Sequence, residues 1–179
     1  MKSKVYLWKT LTLPIAIILE FTMISSTLIL GQLSGGAETL IDSRLGEPLY
    51  KEKFKVTSEH NMTIDGKNGS VAYFSGNGTL NGIAIKSNGK GLLTPRSNEL
   101  TYIHGRVNFT VVDNSTERAS YMFQAIGHAP IDGVSKSSGD AIFDEKATGK
   151  LNRLSNLVGV FKAESNKNGT GTFVMWGWK

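Results

Sequence analysis

From about Glu47 onward, apolar and polar residues alternate with a period of two, the spacing that sends successive side chains to opposite faces of a β-strand. In LYKEKFKVTSEHNM, Lys51, Lys53 and Lys55 form one face and Phe54 and Val56 belong to the other. DGKNG at 65–69 supplies a turn into SVAYFSGNGTLNGIAIK, which reads as a second strand interrupted by Gly76, Gly78 and Gly82. Glycine within a strand marks a bulge, a bend or a close backbone approach, and such bends help a sheet to curl. The clearest hairpin is ELTYIHGRVNFTVV and ERASYMFQAIGHA around DNST. Ile103, Val107, Phe109 and Val111 share the face predicted for the core, and Tyr102, His104, Arg106 and Asn108 share the other.

GDAIFDEKATGKL, LVGVFKAES and GTGTFVMWGWK supply the last strands, with NKNG as a further tight turn. The pattern predicts an all-β domain over 47–179 of about seven or eight strands, at spacings typical of an antiparallel sandwich or barrel, and the strand glycines favour a single antiparallel barrel of about eight strands. The one helical turn it allows lies around Leu151 to Leu157, where Leu151, Leu154, Leu157 and Val158 fit a period near 3.6. There Leu151 and Leu154 are expected to plug one barrel end, Thr148-Gly149 to allow a positive-φ turn, and Gly159 to let neighbouring strands pass closely. Gly149-Lys150 is followed by Leu151, so this glycine turn lacks the Lys-Ser/Thr pair of a phosphate loop.

A different pattern governs residues 1–30. Lys2, Lys4 and Lys9 precede a run from Leu11 to Leu30 that carries one charge, Glu20, and is close to the roughly 20 residues with which a helix crosses a bilayer. One amino-terminal transmembrane or signal helix is therefore expected, with the lysines in the cytoplasm and the domain outside. The run exceeds the usual apolar length of a signal peptide, about 7–15 residues, which favours a permanent anchor. Gly35 and Ala37 offer the small residues of a cleavage site, in which case the domain is secreted. An acid in mid-span costs on the order of 3 kcal/mol, so Glu20 points to a partner helix in a membrane complex. Residues 31–46 read as a linker.

Charge and composition narrow the chemistry. The formal net charge is +5, and the lysines and glutamate of the first segment account for +2 of it. The remaining basic residues are scattered, without the clustered, aromatic-interleaved face of a nucleic-acid binder, and no nucleic-acid partner is expected. With no cysteine, disulfides, thiolate metal sites and cysteine nucleophiles are excluded. Asn-x-Ser/Thr occurs at Asn61, Asn68, Asn77, Asn108, Asn114 and Asn168, which makes these the candidate glycan acceptors of an exported domain. The same residue types also build turns, and a turn-rich chain accumulates such triplets without any glycan.

No catalytic constellation emerges. His60, His104 and His128 lack the spacing of a local metal motif, and His104 shares strand parity with Asn108, so no metal and no other cofactor is expected. There is no G-x-S-x-G elbow. Asp140, Asp144 and Glu145 read as a solvated strand end, and GHAPIDG at 127–133 as a loop at the barrel mouth.

The run SSGDAIFDEKATGKLNRLSNLVGVF, followed by a last strand ending in MWGWK, resembles the closing segment of allene oxide cyclase-like barrels, a group with dirigent-like and uncharacterised microbial members. The similarity spans 50–179 in pattern and 137–161 as a motif. It implies an eight-stranded antiparallel barrel of calycin type with a central cavity. No position here matches a catalytic residue of the plant cyclases, so the resemblance carries no activity over. The function expected is a membrane-anchored extracytoplasmic module that binds a small apolar ligand or a partner protein without catalysis, with Tyr102, Arg106 and His128 as ligand-binding candidates at a mouth. The alternatives are a cyclase or isomerase acting in the cavity, and an accessory subunit of a membrane complex.

Overall fold

The computed structural model describes residues 45–96, 99–131 and 133–178. The expected membrane segment at 1–30, Glu20 within it, and the linker up to residue 44 lie outside the described residues. Eight antiparallel strands follow in chain order and close into a barrel: β1 (Tyr50–Ile64), β2 (Lys67–Leu80), β3 (Ile83–Pro95), β4 (Leu100–Val111), β5 (Arg118–Ile131), β6 (Val134–Phe143), β7 (Val158–Asn166) and β8 (Thr170–Gly177). Closure comes from β1 pairing with β8, Tyr50 opposite Met175 through Lys55 opposite Thr170. Among the described residues no helix is long and apolar enough to cross a membrane.

The alternation read from the sequence sets the two faces. Val107, Phe109 and Val111 are buried and Ile103 packs against them, while Arg106 and Asn108 face solvent. On β1 the three lysines point outward, and Tyr50, Glu52, Phe54 and Val56 point inward. Inward rings fill the barrel in edge-on and tilted contact: Tyr50 against Phe109 at 4.7 Å between centroids, Tyr121 against Phe143 at 5.1 Å, Phe123 against Phe161 at 6.1 Å, and Phe161 against Phe173 at 4.9 Å. The place where the resemblance implies a central cavity is thus occupied by packed aromatic side chains.

The stretch read as one interrupted strand at 70–86 is two strands. Asn81 and Gly82 adopt φ of 45° and 83° and form a two-residue turn between Leu80 and Ile83, whereas Gly76 and Gly78 stay inside β2. Their role there is room. A Cβ on Gly76 would lie 2.4 Å from the carboxyl carbon of Glu52, and one on Gly89 would lie 2.7 Å from the Phe74 ring.

The two barrel ends differ. After β6 the chain crosses one end as a short 3-10 helix, η1 (Gly149–Leu154), which Gly149 enters at φ 57°. Its Leu151 and Leu154 are fully buried and close that end. Thr148 ties the crossing to β5, its Oγ1 accepting from the Arg118 N–H at 2.8 Å. The chain also enters at this plugged end, where the Trp176 indole N–H donates to the Gly46 carbonyl at 3.0 Å and the entering segment covers Trp176 on the outer wall. At the opposite, open end β1 and β2 extend beyond β8 as an arm, flanked by β3 as far as Ser70. A bulge at Thr57 shifts the register between Val56 and Ser58, so that Glu59, Asn61 and Thr63 now pair with the inward positions of β2.

Candidate functional site

The inner face of the arm and the ends of β3 and β4 form a cleft at the open mouth, with a volume of about 730 Å³. Its polar lining comes from Glu59, Asn61, Thr63, Asn68, Ser70 and Thr101, and its apolar lining from Met62, Leu93 and Pro95. Register explains the convergence: Glu59 stands opposite Ala72, Asn61 opposite Ser70, Ser70 opposite Leu93, and Pro95 opposite Thr101. The Ser70 hydroxyl donates to Glu59 Oε1 at 2.5 Å and so orients the carboxylate across the arm. Amides, hydroxyls and one carboxylate beside a small apolar floor can hold a ligand with both hydrogen-bonding and apolar parts, and the lone carboxylate disfavours an anion.

Deeper in the barrel, at the level below Phe54 and Phe74, lies a second polar group. Glu52 is buried, and the Tyr50 hydroxyl donates to its Oε2. Burial drives the Glu52 pKa above the ordinary carboxyl value, partly offset by the hydroxyls of Ser87 and Tyr50. Ser87 Oγ is itself buried and makes no hydrogen bond of ordinary geometry, so its influence on Glu52 is that of a nearby dipole. The Tyr50 and Tyr121 phenols are both pushed far up by burial, with the Glu52 charge as a further cause. The groups acting on Glu52 are hydroxyls and not cations, so its carboxyl holds its proton to higher pH than an ordinary glutamate does.

The ligand-binding candidates from the sequence stand elsewhere. Tyr102 and Arg106 point outward from β4, on the outer wall and not into a mouth. Tyr102 stacks on His104 at 5.2 Å, lies under the Arg96 guanidinium at 4.8 Å and donates to Gln124 Oε1 at 3.2 Å. Arg106 pairs with Asp144 at 2.5 Å. His128 is also outward and exposed, nearer the open rim, opposite Leu100 and Lys136. The outer wall gathers Tyr102 and Arg106 with Leu92, His104, Met122 and Ile142 in a shallow groove that His128 does not line. His60, His104 and His128 stand on three separate stretches of wall, and among the described residues no trio of metal-ligating side chains is gathered.

Asp144, one of the acids read as a solvated strand end, is more engaged than that reading has it. Ser120 and Arg106 hydrogen-bond its carboxylate, and the Ser120 bond followed by Arg106 holds its pKa below the usual range. All six sequon asparagines are exposed. Asn114 sits in the β4–β5 loop with its Oδ1 accepting from the Thr116 hydroxyl at 2.7 Å, and Asn61 and Asn68 line the cleft.

No family model and no curated protein matches the chain. Solved structures do. A conserved protein of unknown function from Rhodopseudomonas palustris superimposes with a TM-score of 0.60 at 12% identity, covering 73% of this chain and 95% of that one. A protein of unknown function from Clostridium acetobutylicum gives a TM-score of 0.59 at 14% identity, covering 74% and 98%. A beta-barrel like protein from Acinetobacter baumannii gives 0.61 at 15% identity, covering 74% and 94%. The chain is an eight-stranded closed antiparallel barrel similar in fold, and in fold alone, to these bacterial proteins.

Proposed function

We propose that the chain is an extracytoplasmic binding module, tethered to the cell membrane by residues 1–30, that takes a small amphiphilic molecule into the cleft at its open mouth and performs no chemistry on it. The observation that carries this reading is the convergence of Glu59, Asn61, Thr63, Asn68, Ser70 and Thr101 around Leu93 and Pro95, on the inner side of the arm, where the bulge at Thr57 brings Glu59, Asn61 and Thr63 onto the inward face. The aromatic fill below the mouth argues for a ligand at the rim and against one in the barrel centre. The apolar ligand expected from the sequence becomes one with a hydrogen-bonding head, because amides, hydroxyls and a carboxylate stand beside the apolar floor.

Native mass spectrometry of the full chain in a membrane mimetic, before and after organic extraction, tests the proposal. A small molecule retained by the wild type and lost in Leu93→Trp, which fills the cleft, supports it. Equal retention in both proteins, or no retained species in either, defeats it.

The allene oxide cyclase-like alternative draws on one observation, the buried carboxyl of Glu52, its pKa raised by burial, beside the Tyr50 phenol inside the barrel. An acid so placed is suited to protonate a bound molecule. Phe54 and Val56 occupy the inward positions of β1 between Glu52 and the arm, so this chemistry requires those layers to open. Turnover of a candidate substrate that disappears in Glu52→Gln, with the cleft occupant unchanged, would favour the enzyme.

A further inference from the structure

The outer wall carries an unusual row. Met122 stands opposite Ile142, Ile142 opposite Val158, and the Trp178 N–H donates to the Val158 carbonyl at 2.8 Å, so four apolar side chains are consecutive neighbours across β5, β6, β7 and the end of β8. All four are exposed, by 54%, 50%, 39% and 62% in that order. Elsewhere the outward positions of this barrel are mostly lysine, threonine, asparagine and serine, as on β1 and β2. A contiguous apolar row of this kind marks a surface that something covers.

Its position in the fold indicates what. The row lies at the plugged end, where Ile142 is the last outward residue of β6 and Trp178 follows β8 directly. The chain enters the barrel at the same end, its Gly46 carbonyl fixed by Trp176 two residues from Trp178. Only residues 31–45 separate this entry point from the 20-residue apolar run that ends at Leu30. Even fully extended, at about 3.4 Å per residue, such a linker keeps the plugged end within a few tens of ångströms of wherever that run resides. At the same end, η1 buries Leu151 and Leu154 and leaves Lys150 and Arg153 exposed, with Lys146 and its ion-pair partner Glu145 exposed just before it. Tryptophan with aliphatic neighbours, with lysine and arginine at the same end of the barrel, is the composition that settles at the boundary between lipid headgroups and acyl chains.

We infer that the row Met122–Ile142–Val158–Trp178 docks onto the bilayer, seating the plugged end of the barrel in the lipid interface and turning the open mouth toward solvent. This rests on the membrane-tethered reading above. The docked orientation leaves the cleft of Glu59 and Ser70 accessible, at the end remote from the membrane.

The lack of cysteine makes the test clean. Full-length Ile142→Cys and Ser75→Cys variants, the second an exposed outward position on β2, are labelled with a polarity-sensitive fluorophore. They are then reconstituted into phosphatidylcholine/phosphatidylglycerol vesicles with or without brominated acyl chains. The inference expects blue-shifted emission and several-fold stronger quenching for the Ile142→Cys label, with the Ser75→Cys label as in water. Equal quenching at both positions in protein that resists alkaline carbonate extraction overturns the docking and leaves the anchor standing. Release of the chain by carbonate overturns both. Spontaneous disulfide-linked dimers of unlabelled Ile142→Cys would assign the row to a second copy of this chain and likewise overturn the docking.

Discussion

The Tyr50 phenol donates its hydrogen to Glu52, two residues along β1, and both side chains are sealed inside the barrel. Burial raises the Glu52 pKa, so the folded state holds the proton more tightly than the unfolded chain does. A carboxyl whose folded pKa is raised costs stability as the pH climbs. The cost is absent below the unfolded value of about 4.3, grows above it, and levels off once the pH passes the folded pKa. Glu52→Gln keeps an acceptor for Tyr50 and carries no charge. It is expected to remove that part of the pH dependence, melting at or above the wild type, with the gap widest on the alkaline side. Thermal unfolding of both proteins across pH 4–9 checks this, and superimposable curves would show that folding does not raise the Glu52 pKa.

Gly76 is the space that Glu52 occupies. Alanine there would place a methyl 2.4 Å from Glu52 Cδ and Oε1, within van der Waals overlap. Gly76→Ala is expected to destabilise by about 1–3 kcal/mol, the usual range for overpacking. Glu52→Ala should recover much of that loss. A urea-denaturation double-mutant cycle measures the coupling, and additive losses would place the clash elsewhere.

The plug can be weighed in the same way. Leu151 has no exposed surface, and Leu151→Ala is expected to cost about 2–5 kcal/mol. Lys150→Ala, on the exposed side of the same turn, should change stability by less than about 0.5 kcal/mol. Equal effects would mean that η1 closes nothing.

On the outer wall, Ser120 and Arg106 depress the Asp144 pKa, the opposite sign to Glu52. The stabilisation from this group is present above the unfolded aspartate value of about 3.9 and is lost as the pH falls through the lowered folded value. The ion pair is partly exposed, so Asp144→Asn is expected to cost about 1 kcal/mol or less at neutral pH. That difference should vanish in acid. A loss that persists unchanged at pH 2 would assign the effect to packing.

Glycan occupancy bears directly on the cleft. If the domain is exported and modified, Asn77, Asn108, Asn114 and Asn168 can carry sugars on open surface, whereas a glycan on Asn61 or Asn68 would fill the site proposed for the ligand. Enzymatic deglycosylation in heavy-oxygen water with peptide mapping is expected to mark sites among the first four and neither of the last two. Full occupancy at Asn61 or Asn68 would exclude a ligand there.

Much of the barrel could be read from the chain because period-two alternation is a local signal. The β4 split of Ile103, Val107, Phe109 and Val111 from Tyr102, His104, Arg106 and Asn108 holds in three dimensions, and so does the plug of Leu151 and Leu154. The same parity places Tyr102 and Arg106 outward, which is why they do not reach a mouth. Glu52 was legible by parity with Phe54 and Val56, but its two flanking lysines make KEK look like a uniformly solvated run. The mouth was not legible. Extending the parity of Tyr50, Glu52 and Phe54 sends Ser58, His60 and Met62 inward, and the extra residue at Thr57 reverses this so that Glu59, Asn61 and Thr63 face in. Nothing in Val56-Thr57-Ser58 announces a bulge, because its cause is the pairing with β2, which is set from further along the chain.

The arm that this bulge creates is also where the closed sheet leaves a border. Ladder pairing of β1 with β8 ends at Lys55, so among the described residues the stretch from Thr57 to Ile64 has β2 on one side only. A bare strand margin of that length is a template for chain-to-chain stacking. Here it is irregular at Thr57 and carries Glu59, His60 and Asn61 in place of an aliphatic run, so the features that shape the cleft also keep neighbouring molecules from zipping onto it.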